Sequence, residues 1–223
     1  MNIEKWKSMS CLEQTLWMEE ACKINGRGSP RGMVYGVGVN DADYCQQPRI
    51  DGKRVWCPAY VVWKSMLARS CDTKFHAKQP TYSGVKVCDE WHTFMSFRKW
   101  WLENQVDGWH IDKDILSDDG VYSPESCVFV PQWLNNLTTD SGAARGDYPI
   151  GVYFERRRGR FVALCRKPMS KKQEYLGLFD TPDTAHLAWR TRKLEFALEL
   201  KPKMDEIDIR IYPRVVEIIM KAR

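Results

Sequence analysis

Nowhere in these 223 residues do about 18 apolar residues run together, so no membrane-spanning helix is expected. The opening residues, MNIEKWKSMSCLEQ, lack the basic-then-apolar pattern of a secretory leader, which points to an intracellular setting. In a reducing compartment the eight cysteines, at positions 11, 22, 45, 57, 71, 88, 127 and 165, are not expected to pair as disulfides. No two of them stand at two-residue spacing, which excludes a zinc ribbon or knuckle signature. Cys57, Cys71, Cys88 and Cys127 could still converge on a structural Zn²⁺ through the fold; the alternative is four small buried hydrophobes. The glycines of Met33–Tyr44 (MVYGVGVNDADY) are not followed by Lys-Ser/Thr, which excludes a phosphate-binding loop. Histidine is scarce, and neither His76, in a polar loop, nor His92, on a helix surface, sits in a catalytic pattern. His186 reads as a structural residue or a phosphate contact. There is no internal repeat and no low-complexity tract.

What the chain does hold is aromatic and charged. Ten Trp and 12% aromatic residues supply core material, and 28% charged residues supply a solvated surface. Residues 3–24 are amphipathic, with Trp6, Leu12, Leu16 and Trp17 at helical spacing. Ile24–Arg31 (INGRGSPR) reads as a linker and Met33–Tyr44 as strand-like. Pro58–Ser70 predicts a helix with Tyr60, Trp63, Met66 and Leu67 inward, and Val85–Cys88 a short strand. Asp89–Trp101 predicts a second helix capped by Asp89. Thr138–Tyr148 has no apolar periodicity and marks a domain boundary. The expected organisation is an N-terminal helical segment with linker at 1–32 and domains at 33–140 and 141–200. A helical tail at 201–223 follows, set off by a break at Lys201-Pro202-Lys203 and containing a helix over Pro213–Lys221.

From Ile150 to Lys193 there are eleven Lys and Arg against four Asp and Glu. That segment carries a net +7 against +5 for the whole chain, so the basic character is concentrated there. Ile150–Phe154, Arg160–Arg166 and Tyr175–Phe179 read as strands. Alternation places Arg160, Val162, Leu164 and Arg166 on one face, with Phe161, Ala163 and Cys165 on the other. Gly177 predicts a close backbone approach. Thr181-Pro182-Asp183 then opens a helix with an N-cap, a first-turn proline and an acid at the positive end of the dipole. A positive face of this density attracts phosphate backbones.

That segment resembles the plant ethylene-response (Apetala-type) DNA-binding domain. The matched blocks are Gly151-Val152, Gly159-Arg160-Phe161, Ala163-Leu164-Cys165-Arg166, Leu176-Gly177-Leu178-Phe179-Asp180-Thr181 and Ala185, in order over about 45 residues. The resemblance implies a three-stranded sheet packed on one helix, entering the major groove of double-stranded DNA with its exposed face. Carried over by position, the groove-facing residues are Tyr153 (where the family has Arg), Arg158, Arg160, Arg166, Gln173 and Tyr175. Arg156, Arg157 and Lys171 are expected on phosphates.

The middle block, Trp109–Leu137, is strand, turn, strand, helix. If Trp109–Leu116 is one strand, His110, Asp112 and Asp114 share a face that could hold a divalent cation, with Asn135 on the helix; the alternative is a mixed-charge strand edge. This block resembles the ββα-metal finger of phage-encoded HNH-type homing endonucleases, through Ile111–Leu116 (IDKDIL), Tyr122–Val130 (YSPESCVFV) and Leu134-Asn135. Trp63, Met66-Leu67, Arg69, Pro80-Thr81-Tyr82 and Val87–Trp91 match upstream. The resemblance implies an α+β chain: a ββα-metal finger-like nuclease core with flanking helices, plus the small sheet. It implies a Mg²⁺- or Mn²⁺-dependent endonuclease or nickase in the host cytoplasm, with Asp112, Asp114 and Asn135 on the metal. Where the family has Asp-His this chain has Asp112-Lys113, and His110 lies three positions early. Activation of water would fall to Lys113, to Asp114, to metal-bound hydroxide or to a register-shifted His110. Cutting both strands with one finger calls for a homodimer or two sequential events. The rival expectations are a DNA-binding regulator whose finger has lost its chemistry and a host-takeover protein acting through protein contacts.

Overall fold

Aromatic side chains organise the N-terminal part of the computed structural model, which describes residues 1–24, 32–139, 147–170 and 172–223. Helices α1 (Ile3–Ser8) and α2 (Cys11–Ala21) come first, the second opened by a capping box between Ser10 and Glu13. A hairpin of β1 (Arg49–Ile50) and β2 (Lys53–Arg54) leads into α3 (Pro58–Cys71), which starts on a first-turn proline. Then come α4 (Thr73–Lys78), β3 (Lys86–Val87), a 3₁₀ turn (Asp89–His92) and α5 (Phe94–Asn104). Helix α3 buries Trp63, Met66 and Leu67 against Phe94 and Phe97 of α5. The Trp63 indole N–H donates to the Trp91 carbonyl at 2.7 Å, and Trp91 meets Phe97 edge-on at 5.1 Å. Each such ring, fully removed from water, stabilises by about 2–3 kcal/mol. Arg98, buried on α5, reaches Glu19 of α2 at 2.6 Å and lies over the Tyr44 ring.

Three expectations for this region need correction. Trp6 and Met18 belong to the same buried cluster as Trp63, so the N-terminal helices are not a separate segment; residues 25–31 of the expected linker lie outside the described residues. Met33–Tyr44 forms no strand, only isolated bridges. One of these, Val39 with Thr93, pulls Thr93 into extended backbone and splits the expected Asp89–Trp101 helix into a 3₁₀ turn and α5. A local helix propensity has yielded to a long-range hydrogen bond from Phe94 N–H to the Val39 carbonyl, 3.0 Å.

Three short strands follow, β4 (His110–Asp112), β5 (Val121–Tyr122) and β6 (Val128–Val130). Strand β5 runs parallel to β3, and β4 is hydrogen-bonded to β6.

The chain divides into two compact units, Met1–Phe129 and Val130–Arg223. The second begins about ten residues before the expected boundary and takes in α6 (Gln132–Thr138). It continues through β7 (Val152–Glu155), β8 (Arg160–Arg166) and β9 (Gln173–Phe179), antiparallel in that order, then α7 (Pro182–Asp205) and α8 (Ile211–Lys221). The expected sheet and helix are therefore present, with Thr181 capping α7 through the Thr184 N–H. Pro202 does not break α7. It removes one backbone donor, but Met204 and Ala197 are wholly buried and α8 packs along α7 with Ile211, Val215 and Ile219 inward. That burial outweighs the lost bond, and the C-terminal helices are part of this unit rather than a tail. No helix among the described residues is long and apolar enough to cross a membrane.

His186 is structural. Its ring nitrogens lie 3.1 Å from the Ile150 carbonyl and 3.2 Å from that of Ala222, and Arg190 reaches the same Ala222 oxygen at 3.3 Å. With Ile150 N–H donating to the Arg223 carbonyl, they fasten the chain end to the entrance of the sheet.

Candidate nucleic-acid interface

The sheet of the second unit sorts its side chains by register. Tyr153 pairs with Val162, Leu164 with Tyr175, and Arg166 with Gln173. A bulge after Ala163 absorbs Leu176 without moving β8 out of phase. Tyr153, Arg160, Leu164, Arg166, Gln173 and Tyr175 therefore share one face. Ala163 and Cys165 point the other way and are wholly buried. Glu174, beside Cys165, binds the Arg192 guanidinium of α7 at 3.2 Å, which marks that side as the helix-covered one.

The other face sets tyrosine and cation around Val162 of the central strand, which is itself buried. Tyr153 and Tyr175 are 44% and 56% exposed, and Arg166 and Gln173 are exposed at the end of the sheet. Arg156, Arg157 and Arg158 crowd a tight turn in which Arg158 N–H donates to the Glu155 carbonyl, with Gly159 at φ +62° closing the loop. Among the described residues Arg156, Arg157, Arg158 and Arg166 have no carboxylate partner, whereas Arg160 is tied to Asp180 at 2.9 Å. Lys171, expected on a phosphate, lies outside the described residues. Gly177 is needed for its backbone rather than for close approach: φ is +135°, and a methyl group there would meet only the Phe179 ring at 3.5 Å.

Where β7 ends, the free edge of β8 opens a cleft of about 320 Å³ lined by Asn136, Thr139, Arg166, Gln173, Trp189 and Lys193. Lys193 is 6% exposed, donates to the Leu137 carbonyl at 2.9 Å, and lies 5.8 Å from the Trp189 ring centroid. Burial pulls its ammonium below the usual lysine range, with Arg166 adding in the same direction and Cys165 opposing it. Nothing in residue type alone flags Lys193. The available signal is position, because it falls in the stripe formed by Trp189, Phe196 and Ala197.

The middle block is arranged differently from its expectation. Strand β4 ends at Asp112, so Asp114 does not share its face with His110. The Asp112 carboxylate turns back on the chain, one oxygen accepting from Asp114 N–H at 2.8 Å and Ile115 N–H at 2.9 Å. Burial pushes the Asp112 carboxyl above its ordinary range, against the pull of these two bonds. Lys113 is buried, paired with Asp114, and its ammonium lies 5.7 Å from the Tyr122 ring centroid. His110 is exposed, and the Asn135 side-chain oxygen accepts from Thr139 at 3.3 Å. Among the described residues no three His, Cys, Asp or Glu side chains gather where a metal ion could sit. That includes the four cysteines: Cys57 faces Tyr44 and Thr15, while Cys127 packs with Ser126 and is buried. They are small buried or half-buried groups: Cys57 and Cys127 lie in the aromatic core and Cys88 packs against it, while Cys71 is half-buried at the end of α3.

Burial pushes the Cys127 thiol up to about 12 from its usual value near 9.0. Between those pH values the unfolded chain releases this proton while the fold retains it, so stability falls as pH rises from about 9 to 12. The slope from this group is at most about 1.4 kcal/mol per pH unit. Urea midpoints measured at pH 8 and 10.5 should drop in the wild type and drop less in Cys127→Ala. Equal drops would show that this thiol is not buried as described.

No family model, curated protein or solved structure matches this chain.

Proposed function

We propose that this chain binds double-stranded DNA, with the open face of the three-stranded sheet in the major groove and the Arg156–Arg158 turn against the backbone. The observation that carries the reading is the register. It puts Tyr153, Arg160, Arg166, Gln173 and Tyr175 on one face, beside Arg156, Arg157 and Arg158, and among the described residues these three and Arg166 have no carboxylate partner. Arginine forks suit guanine edges and phosphates alike, and a protein surface that leaves them unneutralised suits a polyanion. The resemblance to the ethylene-response domain supports the same face.

The test is selection of a preferred duplex from a random pool, followed by binding at several salt concentrations. Arg166→Ala is expected to cost about 1–3 kcal/mol on the preferred site and to flatten preference at one base pair. Arg157→Ala should weaken all duplexes alike and reduce the salt slope by about 0.9. Identical behaviour of the two variants would remove the division between base and backbone contacts. No duplex affinity at low salt would remove the reading.

A second reading, metal-dependent cleavage of the bound DNA, is favoured by the order of three short strands and a helix from His110 to Thr138, where β4 pairs with β6. The residues present do not fit a divalent cation, since Asp112 is engaged by two backbone donors and Asp114 by Lys113. Nicking of supercoiled DNA that requires Mg²⁺ or Mn²⁺ and stops with chelator would restore the nuclease reading.

A further inference from the structure

One hairpin of the first unit presents an outer face that the DNA-binding reading does not use. Strands β1 and β2 meet at Asp51-Gly52, both at positive φ (47° and 73°), the geometry of a tight two-residue hairpin. Arg49 pairs with Arg54 and Ile50 with Lys53, and the ladder continues beyond them. Val55 N–H donates to the Pro48 carbonyl at 3.0 Å and Cys57 N–H to that of Gln46 at 2.9 Å. Alternation sends Ile50, Val55 and Cys57 into the core and leaves Arg49, Arg54 and Trp56 outside.

Two properties of that face call for an external partner. Arg49 and Arg54 are like charges set directly opposite, an arrangement that destabilises a hairpin unless an anion lies between or beside them. The Arg49 guanidinium donates to the Gly52 carbonyl at 2.8 Å, but among the described residues neither it, nor Arg54, nor Lys53, nor Lys64 has a carboxylate at ion-pair distance. The nearest acid in sequence, Asp51, accepts the Ile3 N–H at 2.8 Å. Trp56 is 41% exposed, far more than the other large rings of this unit's core. It is held in place by parallel stacking on Tyr60 (6.2 Å, 4°) and by the Lys64 ammonium 5.3 Å from its ring centroid. Beside it opens a cleft of about 290 Å³ that includes Asn40, Gln47 and Lys64.

We propose that this face binds a single strand of nucleic acid. One unstacked base lies against Trp56 with its polar edge toward Asn40 and Gln47, and the flanking phosphates lie along Arg49 and Arg54. A preset aromatic ring beside a row of unneutralised cations is what a single strand needs, because its bases are free to stack while its backbone is still anionic. A duplex does not offer this, since its base faces are covered by their neighbours. The proposal is independent of the sheet in the second unit.

The experiment uses the full chain with a fluorescein-labelled mixed-pyrimidine strand of about 20 nucleotides, and the matching duplex, at low salt. Trp56→Ala should weaken single-strand binding about 5- to 150-fold, while Trp56→Phe retains most of it and duplex binding changes less than about twofold. Replacing both Arg49 and Arg54 by Ala should lower the single-strand salt slope by about 1.4, the release expected for two phosphates. Unchanged single-strand binding in Trp56→Ala overturns the proposal. So does an equal loss on both probes, or no wild-type affinity for the strand at about 50 mM salt. If Trp56→Ala lowers the urea midpoint, the arginine pair decides the matter alone. Arg166→Ala separates the two surfaces: failure of the sheet reading shows on the duplex, failure of this one on the strand.

Discussion

Gly151→Ala is expected to cost the second unit about 4 kcal/mol, close to what a marginally stable domain can lose. Gly151 precedes β7 at φ +81°, where an L side chain is strained by about 1–2 kcal/mol. A methyl group there would lie 2.1 Å from Cδ1 of Trp189. The indole borders the cleft but is held by its neighbours. It is 4% exposed and stacked at 5.2 Å on His186, which is itself fixed by the Ile150 and Ala222 carbonyls. Gly159→Ala is the control, because φ there is +62° but a methyl group meets nothing within 4 Å. It should cost only the backbone strain, about 1 kcal/mol. In thermal melts the difference corresponds to roughly 10 °C for a chain of this length. Equal losses in the two variants would mean that the Trp189 contact does not govern the entrance of the sheet. The same variant should also lose duplex binding, since Gly151 borders the cleft that contains Arg166 and Gln173.

That unit was legible because its signals are local. Strands β8 and β9 are seven residues each, long enough for alternation to show, and Thr181-Pro182-Asp183 announces α7 within three residues. Gly177 was legible as a glycine with a reason, though the reason is its φ, and the close approach belongs to Gly151. The first unit has few such signals. Its strands are two or three residues, and β3 finds its partner β5 some 35 positions later, so no window of sequence contains the pair. Thr93 is extended because of Val39, which nothing near Thr93 foretells. By its local chemistry Pro202 reads as a break, whereas the buried Met204 and the packing of α8 carry the helix past it. The hairpin carrying Trp56 is a different case. Asp51-Gly52 between Arg49-Ile50 and Lys53-Arg54-Val55-Trp56-Cys57 is a strong turn signal with an alternating arm. The exposed tryptophan on that arm marks the surface, even though the unbroken ladder back to Gln46 shows only in the fold.

Asp112 separates a structural from a catalytic reading of the middle block, and the structural one predicts a specific pattern. Asp112→Ala should lower stability by about 1–3 kcal/mol, because the part-buried Ile115 N–H loses its acceptor at the end of β4 while the exposed Asp114 N–H turns to water. Ile115, 1% exposed, would be released from the turn that buries it, and Lys113 would lose the chain geometry that holds it beside Asp114. Asp112→Asn should cost little. The amide oxygen can accept the same two bonds, and a neutral group avoids the burial that already pushes this carboxyl above its ordinary range. Stability from the native carboxyl is therefore lost as pH rises above the usual aspartate value, so Asp112→Asn should gain on the wild type as pH rises from about 4 rather than fall behind it. A cation ligand behaves oppositely: Asn would cut Mg²⁺ or Mn²⁺ affinity, and Ala would leave the metal-free fold intact. Urea midpoints of the three proteins, together with calorimetric Mn²⁺ titration of wild type and Asp112→Asn, distinguish the cases. A stable Ala variant, or Mn²⁺ binding that Asn abolishes, would return this carboxylate to a metal site. The expected result, an unstable Ala and an intact Asn, makes it the acceptor that shapes the turn after β4.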